Sequence, residues 1–572
     1  MTVHNADIAT AFYKLANLLD IEGANPFRVR AYRNAARLIE SLTRNVADLI
    51  AQGEDIKELP GIGKDLAEKI TTLVKTGKFP LLKEVEARIP PVLSELLKIE
   101  GLGPKRVQLL YRKLRIKSIN DLKVAIDKGQ VRQLTGFGEK TEQKILQGIL
   151  HREQYIKRTK LADTFSLVDS LIRYLKKIKG VEQIECAGSF RRRKETVGDL
   201  DMLVAAKNGK DVIDHFIQYD ETSEIISQGA TRSTIRLHSG IQVDLRVVSK
   251  KSYGAALLYF TGSKDHSIAL RKLALEKKFK MNEYGIYKRN KQLAGKTEED
   301  MYHQLGLSYI EPELRENHGE IEASKTNALP KLITLNDIRG DLHSHTNATD
   351  GIHHLEAMVN AAKTLGYEYI AITDHSKHLT VARGLDKKAL LQQIRQIDKL
   401  NQKFKKFVIL KAIELDILED GSLDLPSDVL KELDCRVCSV HSKFNLSFKQ
   451  QTERIIRAMD NPLFNILAHP TGRLINKREP YPFDLEKIMQ AAKERGCILE
   501  LNAQPVRLDL DAIHCQMAKE IGVRISISSD AHSIEQLNYM KLGIFQARRG
   551  WLEKSDVINT RPLSALKSLL KR

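Results

Sequence analysis

The chain has 572 residues, 42% hydrophobic and 29% charged; one hydrophobic core rarely serves that length, so about two to four soluble globular domains are expected. Lys and Arg exceed Asp and Glu by 19, and residues 101–200 alone hold 23 basic against 11 acidic side chains, a local excess that favours a polyanionic partner. No apolar run approaches the roughly 18 residues of a membrane span, and MTVHNADIAT lacks the basic and apolar regions of a signal peptide, so a cytoplasmic protein with no membrane partner is expected.

Three segments in the first 150 residues share one pattern: LPGIGKDLAEKI (59–70), IEGLGPKRVQLL (99–110) and LTGFGEKTEQKIL (134–146). Each sets an apolar residue before a Gly-x-Gly turn and an amphipathic helix after it. The pairs Gly61 and Gly63, Gly101 and Gly103, and Gly136 and Gly138 would let the backbone approach a phosphate. The helix that follows offers unpaired N–H groups and the positive end of its dipole, with Lys64 and Lys105 beside two of the turns. One such turn is common between packed helices for structural reasons alone. Three in series point to helix-hairpin-helix units that grip a nucleic-acid backbone without reading bases.

After about residue 160, β-branched runs appear between helices and an α+β domain begins. In GSFRRRKETVGDLDML (188–203) Asp199 and Asp201 stand two apart, so a strand points both carboxylates to one face. Alternation in IQVDLRVV (241–248) leaves Asp244 as a candidate third ligand. Three carboxylates on adjacent strands suit a two-metal site for in-line phosphoryl displacement. Gly188-Ser189 can open a helix as a phosphate-binding turn, and Arg191, Arg192 and Arg193 suit phosphate oxygens. A basic run by itself is only a solvated face.

These stretches, with YFTGSKDHSIALR (259–271), resemble the palm and fingers of a family X DNA polymerase. The resemblance implies Mg2+ or Mn2+ on Asp199, Asp201 and Asp244, and an incoming nucleotide held by Gly188, Ser189, Arg192 and Arg271, with its sugar pocket shaped by Tyr259, Phe260 and Gly262. The N-terminal region resembles the small lyase domain of vertebrate DNA polymerase beta. That likeness implies one of two roles for Lys69: a Schiff base with a baseless sugar, or a phosphate contact. Two positions depart from the vertebrate pattern: Ser267 replaces an asparagine that contacts the base, and Asp65 replaces a phosphate-binding lysine.

Residues 311–340 are polar and punctuated by proline, and 316–338 reads as a linker. Beyond it, apolar runs end one after another in residues that metals favour. DLHSHTNATDG (341–351) supplies His343, His345 and Asp350; later runs supply His375, Glu414, His441, His469, Asp530 and His532. Continuous apolar strands alternating with helices imply a parallel barrel whose functional residues gather at the C-terminal strand ends. A single histidine of this kind is usually structural, but nine potential ligands at equivalent strand ends need a common cause. Nitrogen and carboxylate donors without thiolate fit Zn, Mn or Fe, and nine are too many for one ion, so about two or three ions are expected. Cys435 and Cys438 form a lone CxxC and read as core residues.

Residues 341 to about 535 resemble the polymerase and histidinol phosphatase (PHP) family, which implies a distorted (β/α)7 barrel with phosphoesterase chemistry. Ala412 stands where relatives commonly have glycine. The two resemblances together imply a bacterial family X DNA polymerase with a C-terminal PHP domain. The expected domains are 1–90 (lyase-like, helix-hairpin-helix), 91–160 (fingers, helix-hairpin-helix), 161–248 (palm), 249–315 (nucleotide selection) and 339–572 (PHP). The expected activity is short-gap filling in base excision repair, on gapped or primer-template DNA with deoxynucleoside triphosphates, by a monomer. The barrel would act as a 3'-to-5' exonuclease, with cutting at baseless sites and removal of 3' phosphates as further activities of relatives. The rival reading is a small-molecule phosphoesterase of the histidinol phosphatase kind fused to a DNA-binding module.

Overall fold

A computed structural model describes residues 5–42, 46–59, 61–77, 79–88, 93, 96, 99, 102–146, 158–289 and 291–572. The chain forms two compact units, Met1–Lys157 and Arg158–Arg572. No helix among the described residues is long and apolar enough to cross a membrane.

The first unit is helical. Helices α1 (Lys64–Thr76) and α2 (Pro104–Leu114) start at Gly63 and Gly103, which sit as extended N-caps with no side chain to satisfy the first N–H groups. The middle residue of each Gly-x-Gly turn, Ile62, Leu102 or Phe137, is buried in the helical core. That apolar plug fixes each turn. Gly61 and Gly136 have φ of +88° and +87°, where a side chain is disfavoured. At Gly61, Gly63, Gly103, Gly136 and Gly138 nothing lies within 4 Å of where a Cβ would be, so backbone is open to a ligand. Gly101 lies outside the described residues, as does the side chain of Lys105.

The second unit opens with a five-stranded sheet built from β1 (Val181–Cys186), β2 (Asp199–Ala206), β3 (Thr222–Gln228), β4 (Arg232–Leu237) and β5 (Gln242–Val248) in the order β1-β2-β5-β4-β3. The two central strands β2 and β5 run parallel, with Asp201 opposite Asp244 and Asp199 opposite Gln242. A short helix, α3 (Gly188–Arg191), joins β1 toward β2. Helix α4 (Tyr253–Thr261) packs on the face of β2 that carries Leu203 and Ala205, the same face as Asp199 and Asp201 by strand periodicity.

Residues 316–338 do not form the linker that their polarity suggested. Glu320 is buried, accepts from backbone N–H groups of Asn317 and His318, and meets His266, which in turn meets the Tyr302 hydroxyl. Ile333 is buried in the barrel's helix-facing core. Within this stretch Glu320 and Ser324 are buried while Glu322, Lys325, Thr326 and Asn327 face solvent, a distinction that composition does not carry.

The last region is a parallel barrel of β6 (Gly340–Asp341), β7 (Tyr369–Ile372), β8 (Val408–Asp416), β9 (Cys435–Ser439), β10 (Ile466–Leu467), β11 (Ile498–Asn502) and β12 (Ile525–Ser528), each paired with the next. Helix α5 (Met540–Arg549) packs outside it on β12. The seam between β6 and β12 is bridged near its top by Ser344 and Ala531. Lower down the Asn559 side chain bridges it, donating to the Gly340 and Ile527 carbonyls and accepting from the Ile527 N–H. Alternate residues fill the interior: Leu410, Ala412, Cys435, Val437, Ile466, Ala468 and Ile498 pack together, with Leu566 and Leu570 of α6 (Leu563–Leu570) among them. Cys438 packs in the other, helix-facing cluster. The CxxC is thus split between the two faces of one strand, and all five cysteines are buried free thiols.

Candidate functional site

Two constellations emerge. In the palm, the parallel register brings Asp201 and Asp244 side by side with Asp199 one pleat away. Burial, then the charges of Asp199 and Asp244, push the Asp201 carboxyl up to about 7; burial and then Asp244 also raise Asp199. Negative charge crowded in this way is relieved by divalent cations. Asp244 accepts from the Thr234 hydroxyl (2.6 Å) and the Gln242 amide (2.8 Å), and among the described residues the trio does not bring its donor atoms within 4.8 Å of one another as the barrel groups do.

Gly188 and Ser189 open α3 beside the carboxylates, and a Cβ at Gly188 would lie 2.0 Å from Asp201 Oδ2. The three arginines that follow divide their work, which the sequence reading did not foresee. Arg191 is committed to Glu298 through two hydrogen bonds of 2.8 and 2.7 Å, and Glu298 also holds the buried Arg315. Arg193 is packed against the rings of Phe165, Phe190 and Phe545. Neither is available to a phosphate. Arg192 donates Nε to Glu316 at 3.0 Å and Nη1 to the Thr261 carbonyl. Thr261 ends α4 next to Gly262, where an added Cβ would meet Arg192 at 3.2 Å. On the same helix Tyr259 is partly exposed, lies 5.0 Å edge-on to Phe260 and is covered by the Arg271 guanidinium at 5.1 Å.

The structure brings all nine predicted barrel residues to one end of the barrel. Glu414 is at the centre. Oε2 lies 2.9 Å from His375 Nδ1, 3.3 Å from His343 Nε2 and 3.5 Å from His345 Nε2; Oε1 lies 3.1 Å from His469 Nε2 and 3.2 Å from His441 Nε2. Asp530 is 3.1 Å from His345 Nε2, and Asp350 is 3.4 Å from Nε2 of both His375 and His532. Three sets of donor atoms fall within 4.8 Å of one another: His345, Asp350, His375 and His532; His343, His345 and Asp530; His375, Glu414 and His441.

These contacts do not satisfy the groups that make them. Nε2 of His343, both ring nitrogens of His345 and Nδ1 of His375 are buried without a properly directed hydrogen bond, a costly arrangement unless a cation takes their lone pairs. Burial, then His532 and His375, hold His345 down to about 3, which keeps its imidazole neutral. Against burial, Glu414 and then Asp350 push His375 up to about 10, and Glu414 and then Asp416 push His441 up to about 9. Acids draw protons onto these rings where no cation neutralises them. The donor set, three overlapping groups that share His345 and His375, therefore fits divalent cations.

A supporting ring of residues escaped the sequence reading. Glu500 accepts from His343 Nδ1 and from the His469 N–H, both at 2.7 Å; Asp416 lies 3.2 Å from His441 Nδ1; the Asp530 carbonyl is 2.9 Å from His532 Nδ1. Each fixes a ring so that Nε2 turns inward. Asp374 holds Thr346, Thr349 and Gln393 and so shapes the loop that carries Asp350. Glu500 and Asp416 had a signal, an acid in the apolar strands ILELN and AIELDIL, and Asp374 stands directly before His375.

In the first unit, Lys69 lies on α1 and is ion-paired with Asp65 one turn earlier.

Comparison with known proteins matches a helix-hairpin-helix domain at residues 3–79, a SAM-like helix-hairpin-helix tandem at 93–149, the DNA polymerase beta palm at 156–250, the DNA polymerase beta thumb at 256–316 and the PHP domain at 341–504. The chain is 37% identical to the DNA polymerase/3'-5' exonuclease PolX of Bacillus subtilis over 100% of both chains. A probable phosphatase of Thermoanaerobacter sp. is 30% identical over 40% of this chain and 94% of its own. DNA polymerase lambda of Rattus norvegicus is 25% identical over 55% of this chain and 57% of its own.

Proposed function

The chain belongs to the bacterial family X DNA polymerases that carry a C-terminal PHP domain, and from that premise we propose that it fills short gaps in DNA during base excision repair and trims 3' ends in its barrel. The observation that carries the reading is the coexistence of two separate acidic sites, one on β2 and β5 and one at the top of the barrel. Divalent cations bound at such sites stabilise negative charge on phosphorus and lower the pKa of a nucleophilic oxygen.

The chain's own residues do the rest. In the palm, Asp199, Asp201 and Asp244 would hold Mg2+ or Mn2+ against the primer end, while the Gly188-Ser189 turn and Arg192 bind the triphosphate. Tyr259, Phe260 and Gly262 would line the sugar, with Arg271 held over Tyr259. In the barrel, the nine ligands would hold Zn, Mn or Fe ions, and the Glu500 and Asp416 contacts keep the imidazoles aligned. The open glycine turns of the first unit would grip the DNA backbone through N–H groups.

The test is one assay on one-nucleotide-gapped DNA with and without nucleotides. Asp199→Ala should abolish extension and leave 3' shortening, and His441→Ala should do the reverse. Loss of both activities in either variant would defeat the division into two sites. Hydrolysis of a sugar or amino-alcohol phosphate with DNA left intact would favour the phosphatase reading, which the name of the Thermoanaerobacter relative keeps in view. Barrel cutting at baseless sites would appear in the same assay on a baseless duplex as a product missing from His441→Ala.

For Lys69 we favour a phosphate contact over Schiff-base chemistry, because its ammonium is already paired with Asp65 in the position where a lyase would carry a second cation. Borohydride should trap no covalent adduct with a 5'-deoxyribose phosphate. A trapped species that Lys69→Ala removes would reverse the assignment.

A further inference from the structure

The segment Gly188–Glu195, which carries the triphosphate residues, is gripped by the barrel. At its far end Arg473, on the loop after the ligand His469, forms two contacts with Glu195 at 2.6 and 3.4 Å and is itself held by the Leu508 carbonyl. In its middle, Phe545 of α5 stacks on the Arg193 guanidinium at 4.7 Å. At Arg192 itself, Nη1 of Arg549, the last residue of α5, donates to the Arg192 carbonyl at 2.7 Å and to Glu316 Oε1 at 3.1 Å.

Glu316 is the carboxylate that also takes Arg192 Nε. One barrel side chain thus holds both the backbone root of Arg192 and the acid that anchors its tip. Against burial, Arg549 and then Arg192 pull the Glu316 carboxyl down to about 2, so the acid stays charged between its two cations. With Nε on Glu316 and Nη1 on the Thr261 carbonyl, Nη2 of Arg192 makes no hydrogen bond among the described residues. An arginine side chain loses considerable rotamer entropy when it is fixed, and here two fixed contacts have already removed much of it, which is how a phosphate-binding nitrogen is preorganised.

We propose that Arg549 is a positioning residue for nucleotide binding in the palm: it sets Glu316 and the Arg192 backbone so that Arg192 keeps Nη2 for the triphosphate. The inference rests on the reading of Arg192 as a triphosphate contact. Its physical content is a shared acid. Without Arg549, Glu316 would belong to Arg192 alone and the Arg192 carbonyl would lose its donor, so the guanidinium would be drawn toward the acid and away from the nucleotide. The barrel thereby becomes part of the polymerase's nucleotide affinity.

The experiment uses the full chain on one-nucleotide-gapped DNA with Mg2+, measuring kcat and KM for the complementary nucleotide, with 3'-to-5' hydrolysis and thermal melting as controls. Arg549→Ala should raise KM about tenfold with kcat changed by less than about twofold, the scale of one lost charge-assisted hydrogen bond. Exonuclease rate and melting temperature should hold, and Arg549→Lys should restore part of the affinity. Arg192→Ala should raise KM at least as much, and the double variant should be no worse than Arg192→Ala, because Arg549 acts through Arg192. If Arg192→Ala leaves KM unchanged, the reading of Arg192 fails. If Arg192→Ala raises it and Arg549→Ala does not, or if the double variant is additive, the inference alone fails. Should Arg549→Ala lower hydrolysis and melting along with synthesis, Glu316→Gln decides: a raised KM with intact hydrolysis supports the link, and an unchanged KM overturns it.

Discussion

At Gly188 a single hydrogen atom stands between the backbone and the Asp201 carboxylate. A Cβ there would lie 2.0 Å from Asp201 Oδ2, and φ is +59°, so the residue is constrained twice, by contact and by conformation. Gly188→Ala should therefore displace Asp201 and slow nucleotide incorporation by at least about tenfold while 3' hydrolysis in the barrel is unchanged; equal loss of both would mean that the damage is global. The sequence made Gly188 and the carboxylates visible because their spacing is local. It could not separate Arg191, Arg192 and Arg193, three neighbours of one chemistry. Glu298, Glu316 and Phe545, one partner of each, lie more than a hundred positions away, and only the fold decides which guanidinium has both terminal nitrogens on an acid, which is packed on rings, and which has Nε on an acid while Nη2 makes no hydrogen bond among the described residues.

Among the elements, the barrel strands were the most legible. Each reads as an apolar run ending in a ligand, and period-two alternation accounts for what is seen: Leu410 and Ala412 inside the barrel, then Glu414 at its mouth. The closure was invisible. Between β6 and β12 the regular ladder is replaced by the amide of Asn559, buried and bonded to both strands, contributed from just before the last helix of the chain. Removing it would strand two carbonyls and an N–H in a dry seam. Asn559→Ala should cost about 2–4 kcal/mol, read as a lower denaturant midpoint with loss of bound metal at the same concentration. A midpoint within experimental error of the parent would show that the seam closes without it. The helix-hairpin-helix turns lie between these extremes: the glycine pattern was plain, but Ile62, Leu102 and Phe137 as the buried plugs that turn the glycines outward needed the core to be built.

On the scale of the second unit, the barrel meets the residues that precede it across a charged boundary formed by Arg473 with Glu195, Arg549 with Glu316 and Arg548 with Glu313. The stretch read as a linker is part of this packing, since polar residues that serve buried partners have the same composition as polar residues that face water. The sequence by itself determined the candidate chemistry: which side chains could hold divalent ions, in which two groups they fall along the chain, and that the glycine turns suit a phosphate backbone, because spacing along a strand or turn converts directly into geometry over a few residues. Only the tertiary structure decided the company those groups keep, Glu414 amid its histidines, Glu500 behind them and Arg549 behind Arg192, because those contacts join residues whose separation along the chain carries no period to read.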